Sequence, residues 1–262
     1  MVHGEYGQGG ADDAESAAEA AAIAEGEWRD LMARVTEEAR DGLTDELPAR
    51  LCAACVRVLP VAGASVSLVS GGARATLCAT DETATRLAEI QYTLGEGPSL
   101  RAGSVRAPVS AVDLTSGRDA QWWPLFARQA VSVGAVSAFS FPLGQGGGVL
   151  GTMDLYGTTA GALGERGMVL ALRAADAVTM ALATLQDQQC EEPMGSGVAW
   201  WVQAEANHEE VYKATGMLMV RLGVNADEAL ARLRARAFSL DRTVTEVARD
   251  ITTRRDGFGA SD

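Results

Sequence analysis

The sequence predicts an α+β protein, an antiparallel sheet flanked by helices, followed by an all-α unit of three helices. Between residues 64 and 157 short runs alternate apolar and polar residues and are punctuated by glycine, which is the period of strands. From about Gly164 the apolar spacing turns helical and stays so nearly to the end. The strands come as hairpins at the start and end of their region, without the regular crossovers of a parallel sheet.

From Trp28 to about Arg57 two helical patterns follow each other, broken near Asp41-Gly42, and Pro60 stops the second. ASVSLVS (64–70) and ARATLCAT (73–80) form a hairpin across Gly71-Gly72. TATRLAEIQY predicts a short helix, and LGEGPSLRAGS a loop that opens a helical turn at Pro98. APVSAVDL (107–114) is a strand; QWWPLFARQAVSV (121–133) is one helix, with Pro124 in its first turn. AVSAFSFPL (135–143) and GGVLGTMDLYG (147–157) complete the sheet, joined by the turn from Gly144 to Gly148. That glycine cluster joins strands and lacks the lysine of a phosphate loop, so it reads as a turn.

A long helix is expected from Gly164 to Gln189. Its near-heptad seam (Met168, Leu172, Ala175, Val178, Leu182, Leu185) serves either to pack on the sheet or to pair two chains. CEEPMGSG (190–197) is a hinge. Beyond it, residues 200–223 form a helix, and capping boxes at Asn225–Glu228 and Thr243–Glu246 open two more.

Composition narrows the chemistry. The chain has 262 residues, 47% of them apolar, no stretch apolar enough to span a membrane, and no secretory leader at its start. Four Cys (Cys52, Cys55, Cys78, Cys190) are too few for a disulfide scaffold, so a reduced, cytoplasmic protein is expected. Cys52 and Cys55 stand inside an amphipathic helix, with no second pair to complete a zinc site, and read as buried apolar residues. With only His3 and His208, histidine acid–base catalysis has little material. No metal or catalytic set is expected.

The net charge of −13 argues at first against nucleic acid, but it is unevenly spread. Residues 1–26, an acidic leader expected to be mostly disordered, lead into a stretch whose first base is Arg29. Residues 1–204 carry 13 bases and 25 acids; residues 231–255 carry seven bases, all Arg, and three acids. Arg232 and Arg236 share a helix face; Arg234, Arg242, Arg249, Arg254 and Arg255 complete the set. Arginine suits bidentate phosphate contact and stacking on unpaired bases.

VYKATGMLMVRLGVNADEALARLRARAFSLDRTVTEVARDITTRR (211–255) resembles an ANTAR domain, the three-helix RNA-binding output module of bacterial antiterminators. The matching residues are Ala214, Gly216 and Met217, the turn from Gly223 to Ala229, Leu233-Arg234, and Val247-Ala248. Thr215 stands where many members carry Lys, one base fewer on the first helix. QYTLGEGPSL (91–100), PVSAVDL (108–114), WWPLFARQAVSVGAVSAFSFPL (122–143) and LGTMDLY (150–156) resemble a GAF sensor domain, whose fold is a central antiparallel sheet between helices.

The resemblance implies an acidic leader (1–26), a GAF-like sensor (27–190), a linker (191–199), an ANTAR domain (200–256) and a tail (257–262). Its function would be a signal-responsive, dimeric RNA-binding regulator that permits transcription past a terminator by binding hairpins in mRNA leaders. The RNA-contacting set would be Lys213, Arg221, Arg232, Arg234, Arg236, Arg242, Arg249, Arg254 and Arg255. Ala214, Gly216, Met217, Ala229, Leu233, Val247 and Ala248 would shape the core. Cys78, Trp122, Trp123 and Phe126 are candidates for a sensor pocket whose ligand, small molecule or protein, the sequence leaves open. A sensor acting through a protein partner is the alternative; methionine sulfoxide reduction at Cys78 lacks a resolving partner.

Overall fold

The computed structural model describes residues 47–70, 73–144, 148–191 and 199–253, with isolated positions at 22, 26, 29 and 33. Apart from those positions the leader and the first helical pattern lie outside the described residues, as do the Gly71-Gly72 turn, all of the expected hinge (190–197) after residue 191, and Arg254 and Arg255.

The architecture is α+β. The first part runs α1 (Leu47–Val58), β1 (Gly63–Ser70), β2 (Ala73–Ala79), α2 (Glu82–Leu94), α3 (Pro98–Val105), β3 (Val109–Ala111), α4 (Gly117–Trp122), α5 (Pro124–Ser132), β4 (Ser137–Leu143), β5 (Gly151–Gly157) and α6 (Gly164–Glu191). The three-helix part is α7 (Ala199–Leu222), α8 (Ala226–Ser239) and α9 (Val244–Thr252). One five-stranded sheet in the order β2-β1-β5-β4-β3 has every neighbouring pair antiparallel.

Alternation along the strands gives the sheet two different faces. Register pairs Ala64 with Leu155 and Val66 with Met153, and Phe139 and Phe141 with the same two residues, so these side chains share an apolar face. Helix α1 packs on β1 at this face and α6 on β4. Ala175, Val178 and Leu182 of the α6 seam are buried, while Leu172 is 40% exposed. The opposite face carries Ser65, Ser67, Ser140, Thr152 and Asp154. Its Ser and Thr residues are buried too, because α2 and α3 cover it.

The structure changes two sequence expectations. The helix expected over 121–133 is two helices that part at Trp123 (φ −132°, ψ 68°), with Pro124 opening α5. Proline has no N–H and its ring crowds the carbonyl four residues back, so the chain breaks there. The strand expected over 107–114 pairs only at Val109–Ala111. The Asp119 carboxylate accepts from the amides of Val112 and Asp113, and Asp113 in turn holds Thr115 and Ser116, drawing the backbone out of the ladder.

The motif LGEGPS joins several of these elements. Gly95, at φ 68°, ends α2. Glu96 Oε1 accepts from the amides of Leu125 (3.0 Å) and Phe126 (2.9 Å), the first turn of α5, where a carboxylate also meets the positive helix end. Gly97 sits at φ 133°, a conformation L side chains rarely adopt, and a Cβ there would stand 2.5 Å from Gln91 Oε1. Gln91 Oε1 in turn accepts from the Ser99 amide at the start of α3 (2.8 Å).

Helices α7–α9 close on a small core of Val211, Ala214, Leu218, Ala229, Leu233, Ala237, Val244, Val247, Ala248 and Ile251. Alanines let the helices approach. Asn225 caps α8 by accepting from the Glu228 amide, and Thr243 and Glu246 form a complete capping box on α9. This unit also packs on the sheet part: α7 meets β2, and α8 meets α2. Tyr92 of α2 is 4% exposed and belongs to the three-helix core.

Candidate functional site

The basic residues of the three-helix part separate into three groups. Arg221, at the end of α7, and Lys213 are exposed, Lys213 against Glu209 at 2.6 Å. Arg232 is exposed beside Glu228 at 2.6 Å, with Arg236 one turn further along the same face. These pairs are exposed, so they are weak and open to exchange for phosphate. Arg249 is exposed on α9.

The second group is Arg242 alone. Its Nη1 lies 2.6 Å from Asp250 Oδ2 and its Nε 3.8 Å from Glu246 Oε2, so it ties the turn before α9 to the body of that helix. It belongs to the expected RNA-contacting set, and here it is engaged with two carboxylates.

The third group is Arg234, which faces the sheet part. Its guanidinium carbon lies 5.3 Å from the centre of the Tyr92 ring, and its Nε is buried without a hydrogen-bond partner. Burial disfavours its charge, Tyr92 favours it, and Arg74 across the seam opposes it. Here Arg234 is half-buried and stacked on Tyr92 at the seam. Nearby, Thr93 Oγ1 accepts from the Val244 amide at the start of α9 (3.2 Å).

Gly216 and Met217, expected in the core, lie on the outer side of α7, Met217 being 44% exposed. Ala214 and Leu218, four residues apart, take the inward positions of that turn, and Gly216, two residues from each, faces away. Ala229, Leu233, Val247 and Ala248 are fully buried. Thr215 donates to the carbonyl of Val211 at 2.7 Å, within its own helix.

A partly open cavity of about 470 Å³ lies along the seam. Arg74 and Thr76 of β2, Gln91, Tyr92 and Thr93 of α2, and Ser99 line one side, and Glu210, Thr243, Val244, Thr245 and Arg249 the other. Arg74 Nη2 donates to Ser99 Oγ (2.7 Å) and to Thr152 Oγ1. Ser99 Oγ donates to Asp154 Oδ2 at 2.8 Å, and Thr152 Oγ1 to the same oxygen at 3.1 Å. Asp154 Oδ1 is buried with no hydrogen-bond partner. Burial pulls the Arg74 pKa down, and Asp154 partly offsets it.

Of the four expected pocket residues, only Cys78 lines this cavity. Trp123 and Phe126 are core residues packed with Leu87, Leu114 and Tyr156, because Pro124 turns α5 inward. Trp122 is 57% exposed under Arg118, 4.3 Å from its ring centre. The sulfurs of Cys52 and Cys78 are 3.3 Å apart, a thiol contact and not a bond. The Cys78 contact and burial push the Cys52 thiol well up, and burial pushes Cys55 up to about 12, which makes both poor nucleophiles. Among the described residues no cluster of His, Cys, Asp or Glu could hold a metal, and no helix is long and apolar enough to cross a membrane.

The sequence model of the ANTAR domain matches residues 203–251, the helices that carry this arginine set. The chain carries an ANTAR domain. ANTAR domains are RNA-binding modules of antitermination regulators, and the domain content is that of a regulator. No curated protein matches the chain.

The part preceding the ANTAR domain is similar to solved GAF domains. With the GAF domain of a phosphoenolpyruvate-protein phosphotransferase from Coxiella burnetii the identity is 12% and the TM-score 0.48, over 62% of this chain and 96% of that one. The corresponding Acinetobacter domain gives 11% and 0.46, over 63% and 96%. A free methionine-R-sulfoxide reductase from Neisseria meningitidis, solved with its substrate, gives 13% and 0.47, over 72% and 98%.

The sequence reading missed Arg74, Ser99, Asp154, Tyr92 and Thr93. One signal was available: Arg74 is the only base in the strands among the described residues, and a lone arginine there needs a reason.

Proposed function

We propose that the protein is a signal-responsive RNA-binding regulator that acts as a transcription antiterminator on hairpins in mRNA leaders. The observation that carries this is an ANTAR domain with Arg221, Arg232 and Arg249 exposed and Arg236 half-buried beside Arg232, while Arg234 is engaged with the sheet part. Unpaired loop bases offer faces on which guanidinium planes stack, and the flanking stem offers phosphates. The sheet part receives the signal and passes it through α2, which supplies Tyr92 to the output core. The protein works in the cytoplasm as a homodimer, a state supported by Val169, Leu172 and Met180, which stand exposed on α6.

The test is a double charge reversal, Arg232→Glu with Arg236→Glu, titrated with a hairpin-containing leader RNA across a salt series. Both sites are away from the core, so the fold should persist by circular dichroism. Binding should be lost, and a single reversal should lower the salt slope by about one. Undiminished binding by the folded double variant would overturn the assignment.

A further inference from the structure

We infer that the cavity at the seam binds a small organic carboxylate, gripped by Arg74 from the sensor part and Arg249 from the ANTAR domain. This deepens the reading above and rests on it for the meaning of the signal.

Its volume of about 470 Å³ lies within the range of about 300–1,000 Å³ that small-molecule sites occupy. The chemistry comes from unspent donors. Arg74 uses only Nη2 on the protein; Nε and Nη1 have no hydrogen-bond partner among the described residues. Its bonded partners are neutral hydroxyls, and Asp154 reaches it only through them. A guanidinium held away from bulk water with two nitrogens idle is half of a bidentate pair, and a carboxylate is the planar group that matches it. Arg249 lines the opposite wall and pairs with no carboxylate among the described residues. Each wall therefore supplies guanidinium nitrogens that no carboxylate of the described residues takes up directly.

The remaining lining limits the ligand further. Ser67, Thr76, Thr85, Thr93, Thr243 and Thr245 suit a polar, hydroxylated body. Glu89 and Glu210 also line the space, with Glu210 taking a hydrogen bond from Thr252. Two carboxylates disfavour a second negative group on the ligand. That excludes polyphosphates and the phosphodiester chain of RNA and leaves a monoanion.

The site is shared, so its occupant bridges the two parts and favours the docked arrangement. The full chain, labelled with ¹⁵N, would be titrated with acetate and with gluconate, with sodium chloride at matched ionic strength as control. The Nε–H signals of Arg74 and Arg249 identify both walls, each assigned by its loss in Arg74→Lys or Arg249→Gln. Saturable shifts of both signals, absent with chloride, are expected. Arg249→Gln, on an exposed helix face where the fold is not at stake, should weaken binding by about tenfold or more. Shifts that fail to saturate, that match chloride, or that appear at one arginine only would overturn the shared site. RNA binding is measured separately on the same samples. Saturation without RNA binding removes the antiterminator reading and leaves the cavity standing; RNA binding without saturation does the reverse.

Discussion

Replacing Tyr92 by alanine tests whether the sheet part and the ANTAR domain share a core. Tyr92 is 4% exposed, packed among Val211, Leu233 and Val244, and lies under the Arg234 guanidinium at 5.3 Å. Truncating a buried aromatic to alanine costs about 3–5 kcal/mol. The lost cation–π contact adds about 0.5–2 kcal/mol, part of which returns when Arg234 regains water. Against a total stability of about 5–15 kcal/mol for a domain, that is enough to separate the C-terminal helices from the sheet. Urea unfolding should show a loss of about 3–5 kcal/mol for Tyr92→Ala, with faster amide exchange in α9 before global unfolding. Tyr92→Phe keeps the ring and should stay within about 1.5 kcal/mol of the parent. A double-mutant cycle with Arg234→Ala should return a coupling of about 0.5–2 kcal/mol. A Tyr92→Ala loss under about 1 kcal/mol, or a coupling of zero, would refute the shared core.

Two further outcomes follow from the geometry. Glu96→Ala removes the acceptor for the Leu125 and Phe126 amides and should cost about 1–2 kcal/mol in thermal unfolding, with Glu96→Gln recovering part; full recovery by Gln would show that charge at the α5 terminus is irrelevant. Burial raises Cys55 from 9.0 and Tyr92 from 10.0, each to about 12, so the folded state holds these protons more tightly than the unfolded one. Their stabilisation is complete below about pH 9 and declines as pH climbs towards 12, by at most about 4 kcal/mol for Cys55 and about 3 for Tyr92. Cys55→Ala should flatten the decline seen by denaturant titration between about pH 9 and 11, and an unchanged slope would remove Cys55 as the cause.

The strands and helices were legible because each rested on a local cause: alternation in ASVSLVS, the caps at Asn225 and Thr243, the turn residues at Gly95. The errors came where a distant group decided. The split at Trp123 needs Glu96, far off in sequence, to satisfy the new helix end. Trp122, Trp123 and Phe126 have adjacent positions and similar chemistry, yet Pro124 sends one outward and two into the core. Gly216 and Met217 belong to the ANTAR motif but not to its core, because a motif records resemblance and helical phase decides burial. The cavity was illegible for the same reason. Arg74, Ser99 and Arg249 are spread over the chain, and only the docking of α7–α9 on β2 and α2 brings them together.

That docking gives the charge distribution a consequence. Of the arginines expected to meet RNA, Arg234 is stacked on Tyr92 and Arg249 stands at the cavity. An RNA that uses Arg234 must first take it from the Tyr92 ring, and one that uses Arg249 competes with any anion bound beside Arg74. Linkage is reciprocal: whatever ligand steadies the seam must weaken such an RNA by the same factor, and the RNA must weaken the ligand. The acidic first 204 residues act in the same direction through their long-range field, which salt screens, whereas the Tyr92–Arg234 contact is half-buried and resists screening. Salt dependence therefore separates the two restraints. A ligand effect on RNA affinity that persists at high salt belongs to the seam, and one that vanishes belongs to the acidic surface.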